Sequence, residues 1–257
     1  MKIVAIIQGR IDSTRLPGKV LADICGKPML HYVVSRARQA CTLSLLAVAT
    51  SDQATDDVIV DFCQTNGVPY FRGSRDDVLD RYYHTAKYFQ ADVVVRLTAD
   101  CPLLDPAIID KVVETFIAGQ FDYASNTLEL TYPDGLDTEV FTSKALEIAW
   151  NEARLLSERE HVSPYIIKRA DLFRIGSVKH NRNLSYFRWT VDQRQDLELV
   201  RQIYRCLGNN ANFRLDDLVN LFRAHPELNS INAGVDRNEG YLKSLQLDAL
   251  TIPEVKT

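Results

Sequence analysis

The segment Gln8–Lys19 combines the residue types that bind a phosphorylated ligand. It holds two glycines and three cations: Gly9, Gly18, Arg10, Arg15 and Lys19. Glycines let a backbone approach an anion closely, and cations neutralise its charge. An arginine offers a planar fork that suits phosphate, and a lysine offers a compact point charge. The spacing predicts an anion-binding loop.

Two familiar phosphate loops are excluded. Val20 follows Gly18-Lys19, so the hydroxyl with which a Walker loop holds Mg²⁺ is absent, and the glycine spacing also differs from a dinucleotide-binding turn. The local charge still favours an anion site, because residues 1–40 carry seven cations and two anions in a chain of net charge −4. A solvated helix face is the alternative for Arg36 and Arg38, which lie in a helical pattern.

Carboxylates follow the buried runs of the sequence. Asp100 comes just after the Val-rich run 92–97, and in an open parallel sheet ligands bind at the carboxyl ends of the strands. Capping of the next helix is the alternative role, but Asp105 before Pro106 fills it better. We therefore predict that Asp100 faces a ligand.

Other polar residues have two interpretations each. Asp137 and Glu139 are two apart in a predicted strand and share one face, suited to sugar hydroxyls or a second metal, or else simply solvated. Glu160 is either an acceptor contact or the end of a capping box that begins at Ser157. His161 either binds or deprotonates an acceptor, since imidazole titrates near neutrality, or packs within its helix.

Three arginines are candidates for orienting phosphate or an acceptor carboxylate: Arg72, Arg81 and Arg96. The alternative is that they pair with the nearby acids Asp76, Asp77 and Asp80. Asp192 opens the sequence Asp-Gln-Arg-Gln, which is typical of a capping box for the helix that follows.

The elements that position these residues alternate between two periodicities. Continuous β-branched runs, beginning with residues 2–7, indicate strands buried on both faces, and helical stripes separate them. The alternation predicts βαβ units and a mostly parallel sheet. Beyond residue 120 we predict strands over 123–126, 136–141, 173–178 and 186–191 and helices over 143–156, 158–168, 193–207 and 215–224. Residues 1–225 are predicted to form one domain, with 226–257 as a tail that is partly ordered at best.

Composition sets the class of protein. The 257 residues are 46% hydrophobic and 25% charged, which fits a globular chain and excludes disordered and fibrous classes. The mild acidity argues against a nucleic-acid binder. Five scattered cysteines without a C-x-x-C spacing argue against disulfides or zinc and favour a cytoplasmic location. No apolar run approaches the roughly 18 residues that span a membrane, so we expect no membrane partner.

The segment Gln8–Leu21 resembles the nucleotide-binding signature of the cytidylyltransferases that make CMP-activated sugars, such as CMP-KDO and CMP-sialic acid synthetases. The spore-coat polysaccharide biosynthesis branch is the most similar. The likeness covers roughly residues 1–205 and continues through five further stretches: 71–82, 95–103, 132–141, 157–162 and 188–192. The fold this resemblance implies is α/β, a Rossmann-like nucleotidyltransferase (GT-A-like) of three layers with a mostly parallel central sheet.

The resemblance also implies roles for residues. Arg10, Lys19, Asp100 and Asp192 would be catalytic, and Asp100 and Asp192 would bind Mg²⁺, the implied cofactor. The implied nucleotide-binding set is Gln8, Gly9, Arg10, Ser13, Thr14, Arg15, Lys19, Thr50, Arg72 and Asp100. The implied acceptor-binding set is Arg81, Asp137, Glu139, Glu160 and His161.

Two positions depart from the family pattern. Gly9 stands where alanine is usual, and Asp12 stands where a small residue is usual. Asp12 places a carboxylate beside the expected triphosphate, where it would weaken nucleotide binding or aid metal binding. A solvent-facing side chain or an Asx-turn is the simpler interpretation.

The function implied by the resemblance is transfer of CMP from CTP to an acidic sugar or a phosphorylated or phosphonate acceptor, with release of pyrophosphate. The product would serve surface polysaccharide or glycoconjugate biosynthesis, and the enzyme would be a homodimer. A glycosyltransferase that uses a nucleotide sugar is the first alternative, because related folds host both reactions. A non-catalytic nucleotide-binding protein is the second.

Overall fold

A computed structural model describes residues 1–208, 212–235 and 237–251. Its strands, in chain order, are β1 (Ile3–Gln8), β2 (Asp23–Ile24), β3 (Lys27–Pro28), β4 (Leu45–Ser51), β5 (Tyr70–Gly73), β6 (Val93–Thr98), β7 (Tyr123–Ser125), β8 (Glu139–Thr142) and β9 (Ile175–Ser177). Its helices are α1 (Met29–Ala37), α2 (Asp57–Thr65), α3 (Val78–Tyr88), α4 (Pro106–Ala118), α5 (Ser143–Glu152), α6 (Leu156–His161), α7 (Pro164–Ile167), α8 (Arg194–Cys206), α9 (Leu215–Ala224) and α10 (Glu239–Thr251).

Seven strands form one sheet in the order β5-β4-β1-β6-β8-β7-β9. Strands β5, β4, β1 and β6 are parallel, and β8 pairs antiparallel with both of its neighbours. The carboxyl ends of β1 and β6 therefore meet at one edge, where Gln8 and Thr98 are register partners. The predicted α/β fold with a mostly parallel sheet is confirmed.

Helices cover both faces of the sheet. On β1, Ile3, Ala5 and Ile7 pack into one core with α1, α4 and α8, whereas Val4 and Ile6 pack into the other with α3 and α5. A strand buried on both faces needs apolar residues at consecutive positions, which explains the uninterrupted run that begins the sequence.

The loop after β1 is fixed from below by a buried carboxylate. Asp56, only 1% exposed, accepts hydrogen bonds from the backbone N–H of Ile11 (2.8 Å) and of Ser51 (3.0 Å). It also accepts from the hydroxyls of Thr50 (3.0 Å) and Ser51 (2.5 Å). One side chain thus joins the start of the β1 loop to the end of β4.

We expect Asp56→Ala to lower the free energy of unfolding by about 3 kcal/mol, because two backbone N–H groups lose their acceptor at about 1–3 kcal/mol each. Thermal unfolding should show a melting temperature lower by roughly 6–12 °C. Asp57→Ala is the matched control, since Asp57 is exposed and pairs only with Arg72 among the described residues. Equal small effects of the two substitutions would contradict the role assigned to Asp56.

Three predictions about the second half of the chain are wrong. Residues 186–191 form no strand, because only a single bridge joins Arg188 to Asp134 and the buried Trp189 packs in the core. The predicted strand over 136–141 begins only at Glu139. The predicted helix over 158–168 is two short helices separated at Val162, whose φ of 71° breaks the first before Pro164 begins the second.

The C-terminal segment, for which the sequence predicts at most partial order, contains a 3₁₀ turn (Pro226–Ser230) and helix α10. Helix α10 packs on α6, where Asp248 accepts a hydrogen bond from the backbone N–H of Ser157 (3.1 Å). Residues 252–257 of the predicted tail lie outside the described residues. Among the described helices, none is long and apolar enough to cross a bilayer.

Candidate functional site

A cleft at the carboxyl edge of the sheet contains two adjoining chambers. The loop chamber, of about 400 Å³, is walled by the segment from Gln8 to Lys19. The large chamber, of about 500 Å³, lies between β6, β8 and the C-terminal segment. Residues that line both chambers mark the junction between them: Gln8, Arg15, Thr98, Asp100, His161, Asp192 and Gly240.

Lys19 forms hydrogen bonds to the segments that meet at the junction. Its ammonium donates hydrogen bonds to Asp100 Oδ2 (2.8 Å), Asp192 Oδ1 (2.9 Å) and the carbonyl of Val191 (2.8 Å). The loop after β1, the end of β6 and the segment before α8 therefore converge on one nitrogen. The structure brings together three of the four residues predicted to be catalytic.

Charge pairing sets the ionisation of these groups. Burial alone would lower the pKa of Lys19, but Asp100 and Asp192 raise it above its usual value. Burial would raise the pKa of Asp100, but Lys19 lowers it to about 2. Both groups are therefore charged at neutral pH, as binding of a triphosphate or a cation requires.

Two arginines add to the junction. Arg15 donates to Asp192 Oδ1 (2.5 Å) and to Glu239 of α10 (3.1 Å). Arg188 donates to Asp192 Oδ2 (3.1 Å) and to Asp134 (2.9 Å). Asp192 thus has three cationic neighbours, Lys19, Arg15 and Arg188.

Asp192 does not cap α8, so the capping box predicted from its sequence is wrong. The N-cap is Gln193, and the carboxylate of Asp196 accepts from the backbone N–H groups of Asp192 (3.0 Å) and Gln193 (2.9 Å). The box lies one residue further along because Asp196 is the buried partner of Arg188. The Asp192 carboxylate is therefore available to face the junction.

The loop chamber places Arg10, Ser13 and Thr14 along one wall. Gly9 fits against Ala99, where an added Cβ would lie 2.9 Å from the Ala99 Cβ. That contact is closer than side chains tolerate, so glycine suits this chain at position 9. Arg10 donates to the carbonyl of Arg75 (2.7 Å), which orients it along the wall.

The charge of the Asp12 carboxylate is neutralised by neighbouring arginines. Its carboxylate accepts from Arg75 Nε (2.6 Å) and lies 3.6 Å from Arg10 Nε. Burial would raise the pKa of Asp12, but the hydrogen bond from Arg75 lowers it below its usual value. The extra carboxylate of this loop is thus matched by an arginine that the β5–α3 connection supplies.

Arg81 lies beneath the loop chamber. It is 1% exposed and donates to the carbonyl of Ser74 (2.5 Å). Burial, and then the nearby charge of Arg10, lower its pKa to about 10. The structure places this predicted acceptor-binding residue beside the loop chamber and outside the lining of the large chamber.

The floor of the large chamber is a buried ion pair. The register of β6 and β8 sets Arg96 directly opposite Glu139, and the two form a short salt bridge. Glu139 also accepts from the hydroxyl of Tyr123 (2.9 Å). Burial would lower the pKa of Arg96, but Glu139 raises it above its usual value. Glu139 is therefore not a solvated acid on an exposed strand.

Asp137 lies further along the same wall and faces the same chamber as Glu139. It accepts from Arg237 Nη2 (3.0 Å), and Arg237 Nε lies 3.8 Å from Asp134. Burial, with the neighbouring charges of Asp134 and Glu139, raises the pKa of Asp137 to about 7 despite the arginine. Ionisation of Asp137 therefore opposes folding.

The raised pKa predicts a pH-dependent effect of Asp137→Asn, because asparagine mimics the protonated acid. An unfolded aspartate ionises near pH 3.9, so ionisation destabilises the wild-type fold increasingly from about pH 4 to pH 7 and by a constant amount above. The variant should therefore melt at a higher temperature than the wild type at pH 8 and at a similar temperature at pH 4.5. The exposed Asp171→Asn should show no such trend, and a variant that melts lower at pH 8 would refute the shift.

His161 and Glu160 contact helix α10. Ser244 donates to Glu160 Oε2 (2.6 Å), and its hydroxyl also lies 3.1 Å from His161 Nε2. Burial, followed by the charge of Arg96, lowers the pKa of His161. The capping box predicted between Ser157 and Glu160 is wrong, since Glu158 caps α6 at Leu155.

Two predicted nucleotide-binding residues lie elsewhere. Thr50 is fully buried and bonds Asp56. Arg72 donates to Asp57 (2.7 Å) and to the carbonyls of Ser51 and Gln53. Among the described residues that line the two chambers, neither is present.

The junction fits a hard divalent cation that binds together with a phosphorylated ligand. Its donors are the carboxylates of Asp100 and Asp192, both within 2.9 Å of Lys19 Nζ. Mg²⁺ commonly takes one or two carboxylates and completes its octahedron with phosphate oxygens and water. No cluster of three or more His, Cys, Asp or Glu suited to a metal occurs in the described chain, so a cation here would need oxygens from the ligand.

Sequence reasoning missed Arg188, Asp134 and Arg237 as site residues. Arg188 and Asp134 lie within the stretches that carry the family resemblance, so that resemblance could have indicated them. Arg237 lies in a segment of weak periodicity, and nothing in the sequence points to it.

The sequence profile of the family described as cytidylyltransferase matches residues 4–222. This chain belongs to the cytidylyltransferase family. The resemblance predicted from the sequence is thereby confirmed, and the C-terminal segment that walls the large chamber lies beyond the matched residues.

Two individual relatives and one solved structure are similar to this chain over most of its length. The spore coat polysaccharide biosynthesis protein SpsF of Bacillus subtilis is 32% identical over 232 residues, which are 88% of this chain and 95% of SpsF. An uncharacterized protein of Methanocaldococcus jannaschii is 36% identical over 94% of this chain and 98% of its own length. The structure of a cytidylyltransferase from Leptospira borgpetersenii matches with a TM-score of 0.85 at 32% identity, and covers 92% of this chain and 100% of that one.

Proposed function

We propose that this protein is a Mg²⁺-dependent cytidylyltransferase that transfers CMP from CTP to an acidic sugar or a phosphorylated or phosphonate acceptor. The observation that carries the proposal is the junction of Lys19, Asp100 and Asp192, where a cationic loop chamber opens into a second chamber. Transfer of a phosphoryl-linked group between two bound molecules requires that they bind side by side, with charged residues where the two chambers meet.

In this proposal the loop chamber holds the triphosphate. Arg10, Arg15 and Lys19 line it and can donate charge-assisted hydrogen bonds to phosphate, and the family likeness supports CTP as the nucleotide. Arg15 has to exchange Glu239 or Asp192 for phosphate oxygens, which couples nucleotide binding to helix α10. Asp100 and Asp192 would hold Mg²⁺, which would supply charge neutralisation at the reacting phosphate.

The acceptor lies in the large chamber with its nucleophilic oxygen toward the junction. That oxygen forms a bond to the α-phosphorus, and the bond from the α-phosphorus to the bridging oxygen breaks in line with it. Pyrophosphate leaves with the electron pair into the cationic loop chamber, and a hydroxyl acceptor loses its proton to solvent. Lys19 stabilises the charge that develops on the leaving group.

Pyrophosphate release is the direct test. The full chain is incubated with each of four nucleoside triphosphates, with Mg²⁺ or EDTA, and with a panel of acidic sugars and phosphorylated or phosphonate acceptors. We expect release with CTP, Mg²⁺ and an acidic acceptor only. Turnover of a preformed nucleotide sugar without pyrophosphate would favour a glycosyltransferase, and CTP binding without turnover on any acceptor would favour a non-catalytic nucleotide-binding protein.

The proposed metal site predicts that substitution of either carboxylate lowers activity to a similar extent. Asp100→Asn and Asp192→Asn should each lower the rate of pyrophosphate release by about 100-fold and raise the Mg²⁺ concentration needed for half-maximal rate. Their combined loss should be smaller than the product of the two, because both serve one ion. Asp171→Asn is the control, and near-normal turnover of Asp192→Asn at limiting Mg²⁺ would remove Asp192 from the site.

The loop chamber predicts that Arg10→Met weakens CTP binding about tenfold, since a hydrogen bond to a charged group contributes about 1.5–3 kcal/mol. Titration calorimetry with CTP measures the change. Arg10 is a better probe than Lys19, because Lys19 is buried and also holds two carboxylates. The exposed Arg223→Met is the control, and unchanged CTP affinity of Arg10→Met would exclude this wall of the loop from the nucleotide site.

We extend the proposal to the biological setting. The relative SpsF bears the name of a spore coat polysaccharide biosynthesis protein. By that likeness we propose a role in cytoplasmic biosynthesis of surface polysaccharide or glycoconjugate precursors. A homodimer, expected from the family resemblance, is checked by light scattering of the full chain.

A further inference from the structure

The C-terminal segment forms one wall of the large chamber. Arg237, Glu239 and Tyr241 face the chamber, although the family profile ends at residue 222. The segment is fixed before the wall by Asn232, which donates to Asp196 (2.9 Å) and to the carbonyl of Arg188 (3.0 Å). The wall is therefore part of the folded site.

Arg237 is the cation of this wall. Its side chain is 17% exposed, and Nη2 donates to Asp137 (3.0 Å). Nε and Nη1 are enclosed and have no hydrogen-bond partner among the described residues. A guanidinium carries five N–H donors, and each buried donor that lacks an acceptor costs about as much as a lost hydrogen bond.

The acids around Arg237 are already engaged by other groups. Asp134 accepts from Arg188 through Oδ2 (2.9 Å), and its Oδ1 lies 3.8 Å from Arg237 Nε, beyond hydrogen-bond distance. Glu139 is held by Arg96 and by Tyr123, and freeing it for Arg237 would break a buried ion pair, which is strongly unfavourable. An anionic group bound in the chamber would therefore supply acceptors that the described residues do not.

The position of Arg237 defines the kind of molecule. The chamber adjoins the junction at Asp100 and Asp192, where the reacting oxygen of an acceptor has to lie. Carboxylate, phosphate and phosphonate groups all accept charge-assisted hydrogen bonds from a guanidinium. An acceptor with its acidic group at Arg237 and its nucleophilic oxygen at the junction fits this arrangement.

We propose that Arg237 binds the acidic group of the acceptor, so that the C-terminal segment outside the family profile selects an anionic substrate. This inference rests on the proposed transferase function. It assigns acceptor specificity to a wall that the sequence profile of the family does not include.

The test measures acceptor binding separately from turnover. Titration calorimetry is carried out on the full chain saturated with CTP and without divalent metal. The probes are 3-deoxy-manno-octulosonate, N-acetylneuraminate, arabinose 5-phosphate and 2-aminoethylphosphonate, with neutral mannose for comparison. At least one acid should bind the wild type at least tenfold more tightly than mannose.

Arg237→Gln should weaken binding of that acid at least tenfold, and Arg237→Lys should restore part of it by keeping the charge. The affinity for CTP should stay within twofold for both variants. Arg223→Met, which removes an exposed arginine from α9, is the control and should change neither affinity.

Asp137→Asn separates a ligand role for Arg237 from a purely structural one. If Arg237 only braces the wall through Asp137, then Asp137→Asn should weaken acid binding as Arg237→Gln does. If Arg237 binds the acid, removal of the competing carboxylate should leave acid binding unchanged or make it tighter. A loss of acid binding in Arg237→Gln without a loss in Asp137→Asn supports the proposal, and equal losses overturn it.

Two further outcomes overturn the proposal: unchanged acid binding in Arg237→Gln, and a wild type that binds none of the four acids better than mannose. Failure of the proposed function has a different signature. In that case no acceptor yields pyrophosphate with CTP and Mg²⁺, while the effect of Arg237→Gln on acid binding is still measurable, by titration without nucleotide if CTP does not bind.

Discussion

The architecture of the site depends on one buried ammonium group. Lys19 brings together the loop after β1, the end of β6 and the segment before α8 by bonding Asp100, Asp192 and a backbone carbonyl. Two carboxylates so close to one another would repel without that cation, and a buried lysine without them would lose its charge. The three charged groups therefore stabilise one another, and together they fix the boundary between the two chambers.

Support for this junction comes from groups that lie outside it. Asp56 holds the backbone of the loop after β1 from beneath, Arg75 neutralises Asp12, and Asp196 orients the turn that carries Asp192. The loop therefore keeps a cationic wall although it contains the carboxylate of Asp12. The arginine that neutralises Asp12 lies 63 residues away along the chain.

The antiparallel strand β8 gives the two chambers different linings. Its reversed direction brings Glu139 opposite Arg96, and Gly135, with a φ of 103°, lets the preceding segment approach Thr190 so closely that a Cβ would lie 2.5 Å from its nitrogen. The parallel half of the sheet therefore presents the cationic loop after β1, whereas the β8 half presents acids and arginines. The C-terminal segment then closes the second chamber.

The sequence by itself determined the α/β class, the parallel half of the sheet and the cationic loop, because strand burial and helical periodicity are local patterns. It also indicated Asp100, which needs only its place after a buried strand. Tertiary structure alone decided the rest. By spacing, either Asp192 or Asp196 could supply the carboxylate that caps α8. Only the ion pair of Asp196 with the buried Arg188 assigns that role to Asp196. Likewise, Thr50 and Arg72 face Asp56 and Asp57 instead of the chambers. Arg237 enters the site only through packing of the C-terminal segment, and contacts between residues 100 positions apart leave no periodicity in the sequence.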